Sequence, residues 1–507
     1  MKRIIALSLA ASFVIAAPAS AKDLLVPKEY KTIQAAIDDA NKGDTVIVAD
    51  GTYTGRGNRD IEFKGKAITV MSERGPENCI IDCQGSDAQQ HRGFHFHSKE
   101  DVNCILDGFT ITNGCATSGG GIYCAGSSPA IVNCIVNKNV AAFAGGGISC
   151  INGSPSISSC TISGNSAKWG EGWGGGLYLG RCSGVISKCN IENNSGKRGG
   201  GVCLFSSSAT MTDCSVLGNS SSWGGGVYSE DSKPTISYCA VVGNSAMTAA
   251  GVCCDSGEIT NCIISGNTGN YGIGGIEGSG TIVNCIISGN VSRAGCAGIS
   301  GTSLSIANCT IIGNVGRKHD RGRGWCLPES AKITNCIIRL NKPNQQLHIG
   351  TEPPNPNGPT LIYCNIEGGW EGEGNIDADP MFVMDGPDTI AGSWTDAPSY
   401  DSTKNRTSLT DENASFAAGQ LVGKLIQVST THAKQALITA NTTTTIEVTG
   451  DQRGYGKVGN TYRLVDYHLR RGSACIDAGT SEEVPETDIE GNPRDTAPDI
   501  GSYEGAG

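Results

Sequence analysis

An eight-residue pattern that recurs along the chain constrains the fold more than any other feature. The stretch VNCIISGN at 283–290 is nearly identical to TNCIISGN at 260–267. Looser copies share a cysteine, a valine or isoleucine two places on, and an asparagine five places on. A fixed register of this kind identifies a repeat array. The repeats start 23 to 29 residues apart, at Cys134, Cys160, Cys189, Cys214, Cys239, Cys262, Cys285, Cys309 and Cys336.

A second signature, a run of glycines, precedes the cysteine in seven of the repeats, as in GGGIYC at 119–124 and GGGVYS at 224–229. The inward Cys and Val or Ile positions have period two, and Gly and Asn interrupt the chain every few residues, which predicts short strands. The repeats leave no room for crossover helices, so each strand buries its apolar side by stacking on the next coil. The pattern predicts an all-β parallel solenoid of nine or ten coils, about 45 Å long at about 4.8 Å per coil.

The cysteine and asparagine positions have distinct roles in such a solenoid. We expect the cysteines, with their β-branched partners, to point inward as core ladders. We expect the asparagines, Asn139 through Asn341, to form the corners, because Asn tolerates left-handed backbone and its amides bond along a stack. The 23 cysteines leave two interpretations open: mostly unpaired core ladders, which we favour, or several disulfides between rungs.

The repeats and both flanks resemble known families. The glycine-rich runs and x-x-N corners resemble the repeats of chlamydial polymorphic outer-membrane proteins, and residues 100–370 resemble a right-handed parallel β-helix of the pectate-lyase-like superfold. YKTIQAAIDDANKGDTVIVADGTY at 30–53 is similar to the opening segment of that superfold, which implies a short capping helix. The C-terminal motifs NIDADPMFV, YHLRRGSACIDAG and DIEGNPRDTAPDIGSYE resemble the family called choice-of-anchor Q.

The flanks and the composition complete the predicted organisation. Residues 1–21 have two basic residues, a short apolar run and an Ala-Ser-Ala end, which is typical of a secretory signal peptide. We expect an N-terminal cap and first coils at 22–100, β-helix repeats at 101–370, and a C-terminal cap region at 371–507 with a β insertion at about 387–460. A formal net charge of −11 argues against nucleic acid as a partner.

Function in a filled solenoid depends on side chains that point outward. Trp173, Arg198 and Trp223 directly precede glycine runs on three consecutive coils, which predicts a stack on one flank with Tyr178 and Tyr228 nearby. Flat rings at regular spacing suit the faces of sugar rings, and we assign these residues to substrate binding. The alternative is a cation–π stack that only stiffens the surface.

An outward series of acids follows on the next coils. Glu230, Asp255 and Glu277 fall at outward positions, where like charges on neighbouring rungs repel. The series indicates a bound cation, a raised pKa or side chains splayed into water. If the protein is an enzyme, these three acids and Arg198 are the catalytic candidates.

Two further segments carry chemistry that the repeats do not explain. The basic segment GRKHDRGRG at 316–324 contains Arg321, which we assign to binding of an anionic polymer. His91, His95 and His97 in HRGFHFH are the best candidates for a metal site, because His95 and His97 share a strand face. An exposed polar strand face is the simpler interpretation, and we assign no metal.

Two functional classes remain open. We favour a monomeric, secreted or surface-attached bacterial β-helix protein, extracellular or periplasmic, that binds polysaccharide or surface glycan and needs no cofactor. The alternative is a polysaccharide lyase or glycoside hydrolase acting on an acidic polysaccharide, with Ca²⁺ as the cofactor of a lyase. We expect no transmembrane segment beyond the signal peptide. No catalytic motif in the sequence decides between the two classes.

Overall fold

The computed structural model describes residues 21–168, 170, 172–316, 330–341, 359–482 and 484–505. Parallel strands from successive coils pair in register and form four ladders around one apolar core. The chain visits ladders 1, 2, 3 and 4 in turn before it starts the next coil. The fold is therefore a right-handed parallel β-helix, as the repeats predict. Residues 1–20 of the proposed signal peptide lie outside the described residues.

Ladders 1 and 2 belong to one 22-stranded sheet, because the strands Ile276–Val283 and Ile299–Ala307 run through both. The other strands of ladder 1 are Ile61–Glu62, Phe94–Phe96, Ile122–Ala125, Ile148–Ile151, Leu177–Gly180, Val202–Phe205, Val227–Glu230 and Val252–Cys254. The other strands of ladder 2 are Asp23–Val26, Thr45–Val48, Thr69–Ser72, Ile105–Asp107, Ala130–Val132, Ser156–Ser158, Val185–Ser187, Thr210–Thr212, Thr235–Ser237, Glu258–Thr260, Lys332–Thr334 and Thr360–Ile362.

Ladder 3 is a 13-stranded sheet, and ladder 4 consists of a three-stranded and a five-stranded sheet. The strands of ladder 3 are Gly51–Tyr53, Cys79–Asp82, Thr110–Thr112, Ile135–Asn137, Thr161–Ser163, Asn190–Glu192, Ser215–Leu217, Ala240–Val242, Ile263–Ser265, Ile286–Ser288, Thr310–Ile312, Ile337–Arg339 and Asn365–Ile366. The strands of ladder 4 are Cys115–Ser118, Val140–Ala144, Ser166–Ala167, Ser220–Trp223, Ser245–Thr248, Thr268–Gly269, Val291–Ser292 and Val315–Gly316.

The repeat cysteines line the core as unpaired thiols. The nine repeat cysteines, the first Cys134 and the last Cys336, are each at most 2% exposed. The backbone N–H of a repeat cysteine can lie 3.4 Å from the sulfur of the cysteine on the next rung, as between Cys134 and Cys160. Burial raises the pKa of thiols such as Cys262 and Cys285, so they stay protonated. Among the described cysteines only Cys296 is disulfide-bonded, and the favoured interpretation of the ladders is therefore the one observed.

The repeat asparagines form a continuous hydrogen-bonded ladder. Both the backbone N–H and the Nδ2 of Asn194 donate to Oδ1 of Asn219, at 2.9 and 3.0 Å, and the same Nδ2 donates to the carbonyl of Ile162. The predicted left-handed backbone of these asparagines is wrong. The preceding residue takes it instead, for example Asn193 with φ 55° and Gly218 with φ 60°. The asparagine is therefore free to point its amide into the stack.

One short helix covers the N-terminal end of the core. α1, Ile33–Asp39, begins after Thr32, whose hydroxyl accepts a hydrogen bond from the N–H of Ala35. Its apolar side buries Ile33, Ala36 and Ile37. The capping helix that the sequence predicts is thus confirmed.

The β insertion is a seven-stranded antiparallel sheet with its own apolar core. Its strands are Ala391–Ser393, Ser399–Asp401, Arg406–Thr410, Leu425–Gln427, Gln435–Asn441, Thr445–Thr449 and Thr461–Val465. A 3-10 helix, Val383–Asp385, precedes it. The insertion contacts the outer side of ladder 3, where Arg406 pairs with Glu192 and Leu425 packs near Leu217.

The C-terminal segment also lies along the side of the helix. Ile286, Ile312 and Ile337 point outward from ladder 3 and pack with Phe382, Met384, Tyr467 and Ile500. Asn284 and Asn335 donate to the carbonyls of Thr487 and Thr480. The C-terminal cap region predicted at 371–507 implies that its last part, residues 465–507, covers the open end of the core, but the contacts place the described residues of that part on this flank. The outward isoleucines of the late coils provide the apolar surface that this segment buries.

Candidate functional site

The flank where ladders 1 and 4 meet carries five aromatic rings around one arginine. Bridges join Trp173 to Arg198 and Arg198 to Trp223 on successive rungs. We define the aromatic cluster as the rings that lie against Arg198 or contact Trp173. Its members are Trp173, Tyr178, Phe205, Trp223 and Tyr228.

Arg198 holds the cluster together. Its guanidinium lies 4.9 Å from the ring centre of Trp173, 5.6 Å from that of Trp223 and 5.8 Å from that of Tyr228. The side chain of Glu230 accepts hydrogen bonds from Arg198 at 2.5 Å and from the Tyr228 hydroxyl at 2.9 Å. The cation–π stack considered from the sequence is therefore present.

The rings differ in exposure. Trp223 is 39% exposed, whereas Trp173 is half-buried and meets Phe205 edge to face at 4.8 Å. Burial raises the pKa of Tyr178 to about 12. Trp223 is therefore the most exposed indole of the cluster, and Lys197 Nζ lies 5.8 Å from its ring centre in addition to Arg198.

Side chains that point outward from equivalent positions on successive strands of ladder 1 form a column. This column explains the spacing of the tyrosines. Tyr178, Cys203, Tyr228, Cys253 and Glu277 occupy equivalent positions on five successive rungs. The buried Cys203 separates the two tyrosines, so their hydroxyls lie on alternate rungs. Trp and Tyr side chains from two ladders thus share one surface, as the sequence predicts.

The three predicted acids have different surroundings. Glu230 is ion-paired with Arg198, the carboxylate of Asp255 accepts from the N–H of Asp231 at 3.1 Å, and burial raises the pKa of Glu277. Burial and, less strongly, the charges of all three acids raise the pKa of Cys253, which places them around that thiol. The acids are therefore neighbours, although their ligand atoms do not converge on one metal position.

The structure leaves one site prediction untested and changes another. Arg321 lies outside the described residues. His91 is not grouped with His95 and His97, because its Nδ1 lies 2.7 Å from Asp60. Glu62 joins His95 and His97 instead, and ligand atoms of these three residues lie within 4.8 Å of one another. Burial, followed by Arg92 and His97, lowers the pKa of His95 to about 4, so its imidazole is neutral at pH 7.

Two residues of these sites were missed in the sequence. Phe205 occupies the position equivalent to Glu230 one coil earlier, so extending the column comparison by one coil would have found it. Glu62 belongs to a two-residue strand with no glycine run, and nothing in the repeat marks it. Its register partner on the next rung is His95.

Comparison with known protein families finds a match over the central coils. Residues 146–311 match the family described as right handed beta helix region. No curated protein sequence matches the chain. The polymorphic outer-membrane and choice-of-anchor resemblances remain predictions.

Solved structures with a similar course of the chain include pectate lyase Pel9A, with 14% identity, coverage of 93% of this chain and 90% of that chain, and a TM-score of 0.34. XylC in complex with xylose has 11% identity, coverage of 94% and 95%, and a TM-score of 0.38. Tailspike protein 3 of bacteriophage CBA120 has 12% identity, coverage of 76% and 66%, and a TM-score of 0.33. Likeness at this level carries no argument about activity. In the described part of the chain, no helix is long and apolar enough to cross a membrane.

Proposed function

We propose that the protein binds polysaccharide or surface glycan on the aromatic cluster. The observation that carries the proposal is the exposed indole of Trp223, 39% exposed, held in a cation–π stack with Arg198 and Trp173. An exposed ring whose position is fixed loses little entropy when a sugar packs on its face. Binding therefore needs no reorganisation of the β-helix.

Polar groups beside the ring suit the hydroxyls of a sugar. Glu230 and the hydroxyl of Tyr228 form one hydrogen-bonded unit with Arg198. Charged and hydroxyl groups at the edge of an aromatic surface orient a ligand, while the ring supplies most of the contact area. The cluster thus combines a stacking face with donors and acceptors next to it.

Affinity electrophoresis in gels that contain neutral or acidic polysaccharides tests this proposal. Trp223→Ala should weaken retention by about 1 to 3 kcal/mol, roughly 5- to 150-fold in affinity. The melting temperature should scarcely change, because the removed ring is largely outside the core. Tyr271→Ala is the matched control, since Tyr271 is 70% exposed and lies outside the cluster. Absence of retention on every polysaccharide, or equal retention of Trp223→Ala and the parent, would refute the proposal.

An enzyme that cleaves an acidic polysaccharide is the second candidate. Its supporting observation is the contrast between Glu277, whose pKa burial raises, and Glu230, which forms an ion pair with Arg198. Two carboxyl groups in such different surroundings are the usual components of acid–base catalysis. Under the binding proposal, incubation with polysaccharides, with and without Ca²⁺, yields no new reducing ends and no unsaturated products. Products that disappear in Glu277→Gln, Glu230→Gln or Asp255→Asn would establish catalysis.

We also propose that the protein acts outside the cytoplasm, as a secreted, surface-bound or periplasmic monomer. The supporting observation is the basic, apolar and small-residue order of residues 1–21. N-terminal sequencing of the protein recovered from each cell fraction tests this. A mature chain starting near Lys22 is expected. An intact Met1 in the cytoplasmic fraction would contradict export.

A further inference from the structure

We propose that Glu62, His95 and His97 form a divalent metal site, with Zn²⁺ as the ion, on the outward face of the first coils. The ligand atoms of these residues all lie within 4.8 Å of one another. In the described part of the chain this is the one group of three or more His, Cys, Asp or Glu side chains with that property. The site is independent of the glycan-binding proposal.

The distances suit a single ion. Oε1 of Glu62 lies 3.3 Å from Nε2 of His97. Two ligands about 2.0 to 2.1 Å from a tetrahedral zinc ion are about 3.3 Å apart. The two atoms therefore already have the separation of one edge of a zinc tetrahedron. Two histidines and one glutamate leave a fourth position, as in zinc sites that accept water or another ligand.

The β-helix fixes the three ligands on one surface. Glu62 and His95 are register partners on neighbouring rungs of ladder 1. Phe94 and Phe96 alternate with the histidines and are fully buried, so His95 and His97 must both point outward. The imidazole rings lie 4.2 Å apart between centres. Metal binding at this place therefore requires only side-chain rotations.

Neighbouring residues restrain the ligands. The N–H of Glu62 donates to the side chain of Gln34 on α1, and the Gln34 amide donates back to the Glu62 carbonyl. Tyr123, on the next rung, stacks on the His95 ring at 5.3 Å. The side chains of Glu62 and His97 are each 39% exposed. The three proposed ligands are thus held by neighbouring residues and remain accessible to solvent.

One neighbour opposes a cation. The guanidinium of Arg92 lies 4.9 Å from the ring centre of Tyr123. Its positive charge lowers the affinity of any metal nearby, and the carboxylate of Glu62 offsets it. We therefore expect a measurable but not an extreme affinity.

Calorimetric titration of the chelator-treated mature protein with Zn²⁺ tests the site, and titration with Co²⁺ reports the ligand type. The parent should bind one equivalent of Zn²⁺. His97→Ala and Glu62→Gln should each lower the affinity roughly ten-fold or more. His91→Ala is the matched control, because His91 belongs to the same segment and pairs with Asp60. Its affinity should equal that of the parent.

The Co²⁺ spectrum separates this site from the many thiols. Co²⁺ bound by nitrogen and oxygen gives ligand-field bands without the intense charge-transfer band of a thiolate. His97→Ala and Glu62→Gln change half-exposed side chains, so both variants should keep the parent's circular dichroism and melting temperature. Absent Zn²⁺ binding, binding unchanged in both folded variants, equal loss in His91→Ala or a thiolate band would each overturn the proposal.

Discussion

Replacing Asn219 by alanine tests whether the asparagine ladder stabilises the fold. Oδ1 of Asn219 accepts from the N–H and the Nδ2 of Asn194. Its own Nδ2 donates to the carbonyl of Ile191 and to Oδ1 of Asn244. The side chain is fully buried, so Asn219→Ala removes four hydrogen bonds at a place that water does not reach.

The expected loss follows from the groups left behind. Asn194 keeps the bond from its Nδ2 to Ile162, and Oδ1 of Asn244 keeps the bond from the backbone of residue 219. The N–H of Asn194 and the carbonyl of Ile191 lose a partner. At about 1 to 3 kcal/mol for each of these two buried groups, the free energy of unfolding should fall by about 2 to 6 kcal/mol.

Urea unfolding followed by circular dichroism measures this loss from the transition midpoint and slope. The matched control is Asn137→Ala, because Asn137 ends the strand Ile135–Asn137 and is half-exposed. Its effect should stay within about 0.5 kcal/mol. If Asn219→Ala shifts the midpoint no further than Asn137→Ala, the ladder does not stabilise the fold as argued.

Two further substitutions probe the core and the C-terminal segment. Cys214→Asp should destabilise the protein by several kcal/mol in the same urea assay, because it buries a carboxylate near the carbonyls of Thr212 and Ile186; a loss no larger than that of Cys214→Ala would contradict this. Burial raises the pKa of Asp499 from 3.8 to about 6, so the folded state binds more protons and stability falls as pH rises from about 4 to about 6. Asp499→Asn should remove about 1 to 3 kcal/mol of that fall, and a pH dependence identical to that of the parent would show that the carboxyl is not desolvated.

The sequence predicts the β-helix well because the same packing requirement recurs in every coil. Every coil must fill the same cross-section, so Cys134 and Cys336 occupy equivalent core positions although about 200 residues separate them. The stack of Trp173, Arg198 and Trp223 could be predicted for the same reason. In a fixed strand register, residues at the same position of consecutive repeats lie next to each other. The ion pair between Arg198 and Glu230 could be found only in the structure. Pairing of side chains on different rungs depends on their rotamers, which the strand register does not determine.

Features outside the repeat were harder to predict. The C-terminal segment lies on the side of the β-helix because it packs on Ile286 and Ile312. The repeat pattern alone does not show that these two side chains point outward and are covered by another segment. The residue after the cysteine nevertheless carries a signal in most repeats: it is polar at Thr161, Asn190 and Ser215 and apolar at Ile263, Ile286 and Ile337, whereas Ile135 and Thr310 do not follow this trend. A change from polar to apolar at an outward position indicates that another part of the chain packs there.

The same comparison limits where a ligand can bind. The outer side of ladder 3 is occupied, since the insertion contacts it at Glu192 and Leu217 and the C-terminal segment covers it at Ile312. The interior is filled by cysteine and aliphatic ladders. The glycan binding proposed above therefore requires an outward surface that the described parts of the insertion and of the C-terminal segment do not occupy. The column of ladder 1, from Glu62 to Glu277, carries aromatic, acidic and imidazole groups in the half-buried positions where binding sites are usually found. The proposed metal site, through Glu62 and His95, and the two tyrosines of the proposed glycan-binding surface lie along this column. Trp223 lies beside it, at the end of a ladder 4 strand.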